Sequence, residues 1–198
     1  MRPNLAIVLV ALVAAAFGLV AGMLATGSPL LLRSELGQRA LGWWMATTSS
    51  TPDGVSVARR GEALPAMTLP SIEGRDVRIP DAYAGRPLLV NVWASWCGPC
   101  IREMPALQRF HSDQADNGVQ VVGIALDDAD AVRAFVAKAG VRYPILVDAP
   151  GPRDAGVRLG NPKGVLPYSV LVSADGRLLK QHLGPFADEN EIGAWAQR

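Results

Sequence analysis

Leu88-Leu89-Val90-Asn91-Val92-Trp93-Ala94-Ser95-Trp96-Cys97-Gly98-Pro99-Cys100 contains both cysteines of the 198-residue chain. Its first half, Leu88 to Trp93, is an almost unbroken apolar run, the pattern of a strand buried on both faces. Beyond Cys100, residues Ile101, Met104, Leu107 and Phe110 recur at helical spacing. The cysteine pair therefore falls at a strand-to-helix junction, and a C-x-x-C placed there reads as a redox site.

A helix N-terminus presents unpaired N–H groups and a partial positive charge, both of which favour a thiolate over a thiol. Cys97 is expected at that cap, exposed, as the nucleophile that attacks a substrate disulfide. Cys100, one turn further on, is expected to resolve the mixed disulfide. Gly98 allows another backbone to approach closely, and Pro99 loses nothing by lacking an N–H in the first turn. Two other readings compete. A zinc site wants four ligands, and only His111 and His182 could join the cysteines, without the spacing of such sites. A purely structural bridge closing so short a loop removes little entropy from the unfolded chain.

The run Trp96-Cys97-Gly98-Pro99-Cys100 resembles the active site of thioredoxin-like oxidoreductases. The wider stretch from Gly85 to Cys100, followed by Arg102-Glu103-Met104-Pro105, is similar to the TlpA/ResA/CcmG branch of membrane-tethered thiol-disulfide proteins, which face the bacterial periplasm or the cell exterior. The resemblance covers about residues 60 to 198 and is most specific around the cysteines. It implies roles for two further positions. Glu103, on the same helix face as Cys100, corresponds to an acidic residue that tunes the cysteines and moves protons; burial would raise its pKa and let it accept the Cys100 proton. The competing reading is a solvated glutamate paired with Arg102. Pro167, in Leu166-Pro167-Tyr168, resembles the proline that precedes a late strand with its peptide bond cis and its loop facing the active site. Tyr168 departs from the acidic residue that CcmG-type relatives often carry there. The expected site is thus Cys97, Cys100 and Glu103 for chemistry, with Trp96, Gly98, Pro99, Leu166 and Pro167 as substrate contacts and no metal or cofactor.

The N-terminal part of the chain points to a membrane. No charged residue lies between Arg2 and Arg33, and Leu5 to Ala25 is nearly all aliphatic or Gly, long enough for one spanning helix. Residues 1–28 are read as a signal-anchor or transmembrane segment, with a cleaved signal peptide as the rival. Charge does not settle orientation, since Arg2 faces Arg33 and Arg39 across the span. Outside the cytoplasm is where substrate disulfides persist. Residues 29–60 read as an amphipathic segment and linker: apolar and charged residues from Leu30 to Trp44 alternate at near-helical spacing, either an interfacial helix or one packed on the domain, and Thr47 to Gly54 is rich in linker residues. Residues 61–198 form one domain's worth of chain.

Within that domain, Met67 to Leu69 and Asp76 to Ile79 flank the turn signal Glu73-Gly74 and predict a hairpin. Further strands are expected at Val119 to Leu126, Tyr143 to Val147, Tyr168 to Ser173 and Arg177 to Leu183, with helices over Asp130 to Ala139 and from Asp188 to about Ala196. The order matches an α/β thioredoxin fold with a central mixed sheet flanked by helices and an extra N-terminal β-hairpin, preceded by one transmembrane helix. Pro105 should kink the active-site helix. Trp93 is read as core and Trp96 as rim, while His111 and His182 are read as surface or structural residues.

The net charge is +1 and no basic run occurs, which argues against a nucleic-acid partner. The expectation is a membrane-anchored thiol-disulfide oxidoreductase acting as a reductase. By resemblance, its electron donor is a transmembrane reductase and its substrates are protein disulfides, such as the haem-binding cysteines of apocytochrome c or the cysteines of copper-site proteins. A peroxiredoxin-like peroxidase would require Pro and Thr or Ser where Val90 and Ala94 stand. A copper-binding thioredoxin-like protein would hold the metal on the two thiolates, but no Met or His adjoins the pair.

Overall fold

The computed structural model describes residues 35–48, 54–114 and 118–197. Its elements are helix α1 (Glu35–Thr48), strands β1 (Met67–Pro70), β2 (Asp76–Ile79) and β3 (Leu88–Trp93), helix α2 (Gly98–Asp113), strand β4 (Gln120–Leu126), helix α3 (Ala129–Ala139), strand β5 (Ile145–Asp148), helix α4 (Ala155–Arg158), strands β6 (Tyr168–Val172) and β7 (Leu178–Leu183), and helix α5 (Glu189–Gln197). A short 3-10 turn, Asp81–Tyr83, joins β2 to β3. The chain divides into two units, Met1–Leu41 and Gly42–Arg198, and the sheet belongs to the second.

Every residue of β3 is buried because it is the middle strand of a five-stranded sheet ordered β5-β4-β3-β6-β7. Strands β4 and β5 run parallel to it, whereas β6 pairs antiparallel with β3 and β7 antiparallel with β6. The hairpin β1–β2 is a separate two-stranded sheet, linked to β5 by a bridge between Ser71 and Leu146. This is the expected thioredoxin-like α/β fold with its added hairpin.

Period-two alternation sends the side chains of β3 to opposite faces. Leu89 and Trp93 enter a cluster with Met104, Leu107 and Phe110 of α2, Val132 and Val136 of α3, and Ile192 of α5. Gly123 of β4 is needed for that packing: a Cβ there would lie 2.6 Å from Ile145 Cδ1 and 3.0 Å from Trp93 Nε1. Helix boundaries follow from capping. Asp128 accepts the N–H groups of Asp130 and Ala131 at 2.9 and 3.2 Å, and α3 stops at Gly140, whose φ of 69° suits glycine.

The structure refines several sequence expectations. β5 starts at Ile145 rather than Tyr143, since Pro144 has no N–H for a ladder and the Tyr143 ring is turned into the core. Helix α4, too short to show a helical period in the sequence, forms because Asp154 caps it by accepting the Val157 N–H at 2.9 Å. Helix α1 runs to Thr48, past the start of the expected linker, with Leu36, Trp43 and Trp44 exposed. The expected span within residues 1–28 lies outside the described residues. Among the described residues, no helix is long and apolar enough to cross a membrane.

Candidate active site

Residues 94–97 leave the C-terminal end of β3 and turn directly into α2, with Cys97 as its N-cap. Two hydrogen bonds hold this loop from the neighbouring strand: Ser95 donates to Asp127 Oδ2 from its N–H at 3.1 Å and from its hydroxyl at 2.5 Å. Partial burial works against the Asp127 charge, but the Ser95 hydroxyl and the Asp128 and Ser95 N–H groups hold its carboxyl below the usual range. Sequence reasoning missed Asp127, whose role depends on the parallel pairing of β3 with β4.

Cys97 and Cys100 are joined in a disulfide, with their Cα atoms 5.3 Å apart. The Cys100 N–H points at Cys97 Sγ at 3.3 Å, the backbone donor expected to favour a thiolate once the bond is reduced. The expectation of an exposed Cys97 is corrected: in this form it is 6 % accessible, because its sulfur turns inward to bond the fully buried Cys100. Exposure belongs instead to Trp96 beside it, at 69 %, and to Gly98, while Pro99 is half-buried.

Glu103 is 1 % exposed, which removes the solvated-glutamate reading. Its Oε1 accepts from Asn91 Nδ2 at 2.8 Å and its Oε2 from the Phe186 N–H at 2.9 Å. Burial pushes its pKa up to about 7, against the opposing pull of the Phe186 and Asn91 hydrogen bonds and with a further push from the Glu191 charge. Asn91 also donates to Ser169 Oγ at 3.0 Å. This polar trio sits in the apolar layer between the sheet and α2. Sequence reasoning passed over Asn91, whose one signal is its place as the polar residue of an otherwise apolar run; Ser169 and Phe186 give no local signal.

The Leu166–Pro167 bond is cis, as is Ile79–Pro80, which the sequence reading did not anticipate. Tyr168 pairs with Val92, so Pro167 lies at the end of the sheet from which the cysteine loop departs. Leu166 packs against the cluster that includes both cysteines. The preceding loop is braced by the buried Asn161, whose side chain accepts the Val165 N–H at 3.1 Å and donates to the Val165 carbonyl at 2.8 Å. Tyr168 is buried and donates its hydroxyl to the Leu159 carbonyl at 2.9 Å, so it anchors this loop instead of offering a charge. Thus Trp96, Gly98, Pro99, Leu166 and Pro167 all fall at the cysteine-bearing end of the sheet. His111 lies on α2 three turns beyond Cys100, edge-on to Tyr143, and His182 is in the core.

A C-x-x-C disulfide at a helix N-cap, where the central strand of a thioredoxin-like sheet ends, defines a thiol-disulfide oxidoreductase. The chain belongs to the Redoxin family, whose model matches residues 59–194. It is 30 % identical over 136 residues to the thiol-disulfide oxidoreductase ResA of Bacillus thuringiensis, a match covering 67 % of this chain and 75 % of that protein. Among solved structures, a secreted thiol-disulfide isomerase from Corynebacterium glutamicum superposes with a TM-score of 0.60 at 25 % identity, covering 74 % of this chain and 93 % of that one. StoA from Bacillus subtilis does so with a TM-score of 0.54 at 25 % identity, over 67 % and 96 %. The resemblance read from the cysteine motif therefore extends across the domain.

Proposed function

We propose that this oxidoreductase is a membrane-anchored reductase of protein disulfides outside the cytoplasm. The observation that carries the chemistry is the placement of Cys97 Sγ at the N-cap of α2, with the Glu103 carboxyl buried on the same helix three residues beyond Cys100. In the dithiol form, the Cys97 thiolate attacks one sulfur of a substrate disulfide. The Cys97–substrate bond forms as the substrate S–S bond breaks and a substrate thiolate leaves. Glu103 takes the Cys100 proton, and the Cys100 thiolate attacks Cys97 Sγ. The second substrate thiolate is released, two electrons have passed to the substrate, and the Cys97–Cys100 disulfide of this structure remains. Trp96, Gly98, Pro99 and Leu166 form the surface on which the substrate chain rests, and Pro167, which is buried with its carbonyl bonded to the Gly184 N–H, shapes the loop behind it.

Location and partners rest on other observations. The uncharged run from Leu5 to Ala25 supports an anchor, and an oxidising compartment supplies disulfides to reduce. Electrons come from a membrane-embedded thiol reductase, and the substrates are oxidised cysteines of apocytochrome c or of copper-site proteins. The Cys97/Cys100 potential tests the direction of transfer. A reductase requires a value near the thioredoxin figure of about −270 mV, whereas one near the −120 mV typical of strong dithiol oxidants, roughly, would reverse the assignment.

A further inference from the structure

His182 is buried in the domain, yet the cysteine chemistry does not call on it. Strand register shows where it acts. His182 pairs with Ser169, and Ser169 pairs with Asn91, so three adjacent strands carry Asn91, Ser169 and His182 in one row across the face covered by α2 and α5. The His182 ring is 3 % exposed and lies flat on Phe186, with ring centroids 4.0 Å apart and planes 9° apart. Trp195 of α5 closes the group, 5.9 Å from His182 and 5.4 Å from Phe186. Lys180, on the same strand face, donates from Nζ to the Trp195 carbonyl at 2.7 Å and ties the end of α5 to the sheet.

Phe186 is the link to the site, because its backbone N–H is one of the two donors on Glu103. It lies in the loop between β7 and α5, and a loop N–H stays aligned on a buried carboxylate only if its own residue is held. The loop is fixed on one side by the Gly184 N–H on the Pro167 carbonyl at 2.9 Å and on the other by the Ala187 N–H on Glu191 Oε2 at 2.6 Å. Between these points, the ring stack restrains Phe186 itself. We propose that His182 is a positioning residue for Glu103: its ring, stacked on Phe186, holds the Phe186 N–H against the carboxylate and so fixes how readily Glu103 takes up the Cys100 proton. The inference rests on Glu103 being the proton acceptor.

Other groups also face Glu103. Glu191 acts on it from α5 with a like charge and Tyr143 from the segment before β5, while Cys100 precedes it by three residues on its own helix. Asn91 and Ser169 face it from β3 and β6 as neutral groups. Loosening the loop would also release Glu191 from Ala187, but the Phe186 hydrogen bond affects Glu103 more than the Glu191 charge does.

The test is a carbon-13 titration of the Glu103 carboxyl in the full-length oxidised chain, together with the pH profile of insulin reduction. His182→Ala removes the stack and should raise the Glu103 midpoint by about one pH unit, as expected for loss of one hydrogen bond to a charged group. The acid limb of the activity profile should move with it. His182→Phe restores a flat ring without a titrating nitrogen and should return both readouts to within about 0.3 of the wild-type values, less than a third of the shift expected from the lost hydrogen bond. Phe186→Leu removes the stack from the other side, should reproduce the His182→Ala shift, and carries the test if His182→Ala does not fold. An unmoved midpoint in the stack-removing variants would overturn the inference, and so would a full shift in His182→Phe, which would make the imidazole charge the controlling feature. If Glu103→Gln itself left the activity profile unchanged, the reading of Glu103 would fall instead.

Discussion

Replacing Glu103 by Gln should change how stability depends on pH, in a direction set by burial. In the folded chain the carboxyl pKa stands at about 7 instead of 4.5. A group whose folded value is raised contributes stability that is complete below the lower value and is lost as pH rises through the upper one. Between the two, the native state holds a proton that the unfolded chain has released. Stability then falls by about 1.4 kcal/mol per pH unit, or about 3 kcal/mol across the window. No discount for solvent screening applies, since Glu103 is 1 % exposed. Gln keeps the shape and cannot ionise. Its amide N–H can be accepted by Asn91 once the Asn91 amide turns over, because Asn91 Oδ1 has no partner among the described residues. Urea unfolding of the oxidised wild type and variant at pH 5 and pH 8 isolates the effect. The variant should gain about 2.5 kcal/mol on the wild type between these pH values, because part of the effect is already spent at pH 5. Parallel curves would show that Glu103 titrates as an ordinary surface carboxyl and would refute the burial argument.

Gly123→Ala should cost about 1–3 kcal/mol by overpacking, read as a lower urea midpoint, because its Cβ would meet Ile145 and Trp93. Asn161→Ala leaves the Val165 N–H and carbonyl without their side-chain partner and should cost about 1–3 kcal/mol. It should also raise KM for a protein disulfide more than it lowers kcat, since the loop leading to Leu166 loses its brace; an unchanged KM would detach that loop from substrate binding. For the proposed anchor, the full-length chain should resist carbonate extraction and keep Met1, whereas an exported domain beginning at Gly61 should reduce insulin normally yet complement a deletion strain poorly. Full complementation at matched expression would show that tethering adds nothing to the local concentration of partners.

The parts of the fold that the sequence reveals are those with a long apolar signature. Leu88 to Trp93 reads as a central strand because all six residues are buried, and α2 reads as a helix because its apolar face repeats from Ile101 to Phe110. Helix α4 is a single turn whose stability lies in the Asp154 cap and in the burial of Ala155 and Val157, so no period announces it. The cysteines are legible because they sit in a short motif whose chemistry depends on near neighbours, and Glu103 and Pro167 only through the family resemblance that this motif opens. Asp127, Ser169, Phe186 and His182 are not, because each reaches the site through strand register or across a loop far from the motif in sequence. The expected exposure of Cys97 failed for a different reason. Capping geometry predicts where a sulfur sits, but the bond to buried Cys100 decides which way it faces.

The division of labour between the two cysteines is the centre of the account, and trapping measures it directly. Cys100→Ser, incubated with an oxidised protein substrate and analysed by non-reducing mass spectrometry, should accumulate a mixed disulfide through Cys97, because the resolving thiol is gone. Cys97→Ser should form no adduct and reduce no insulin. An adduct that forms through Cys100 in Cys97→Ser, with Cys100→Ser still turning over, would contradict the assignment of Cys97 as nucleophile.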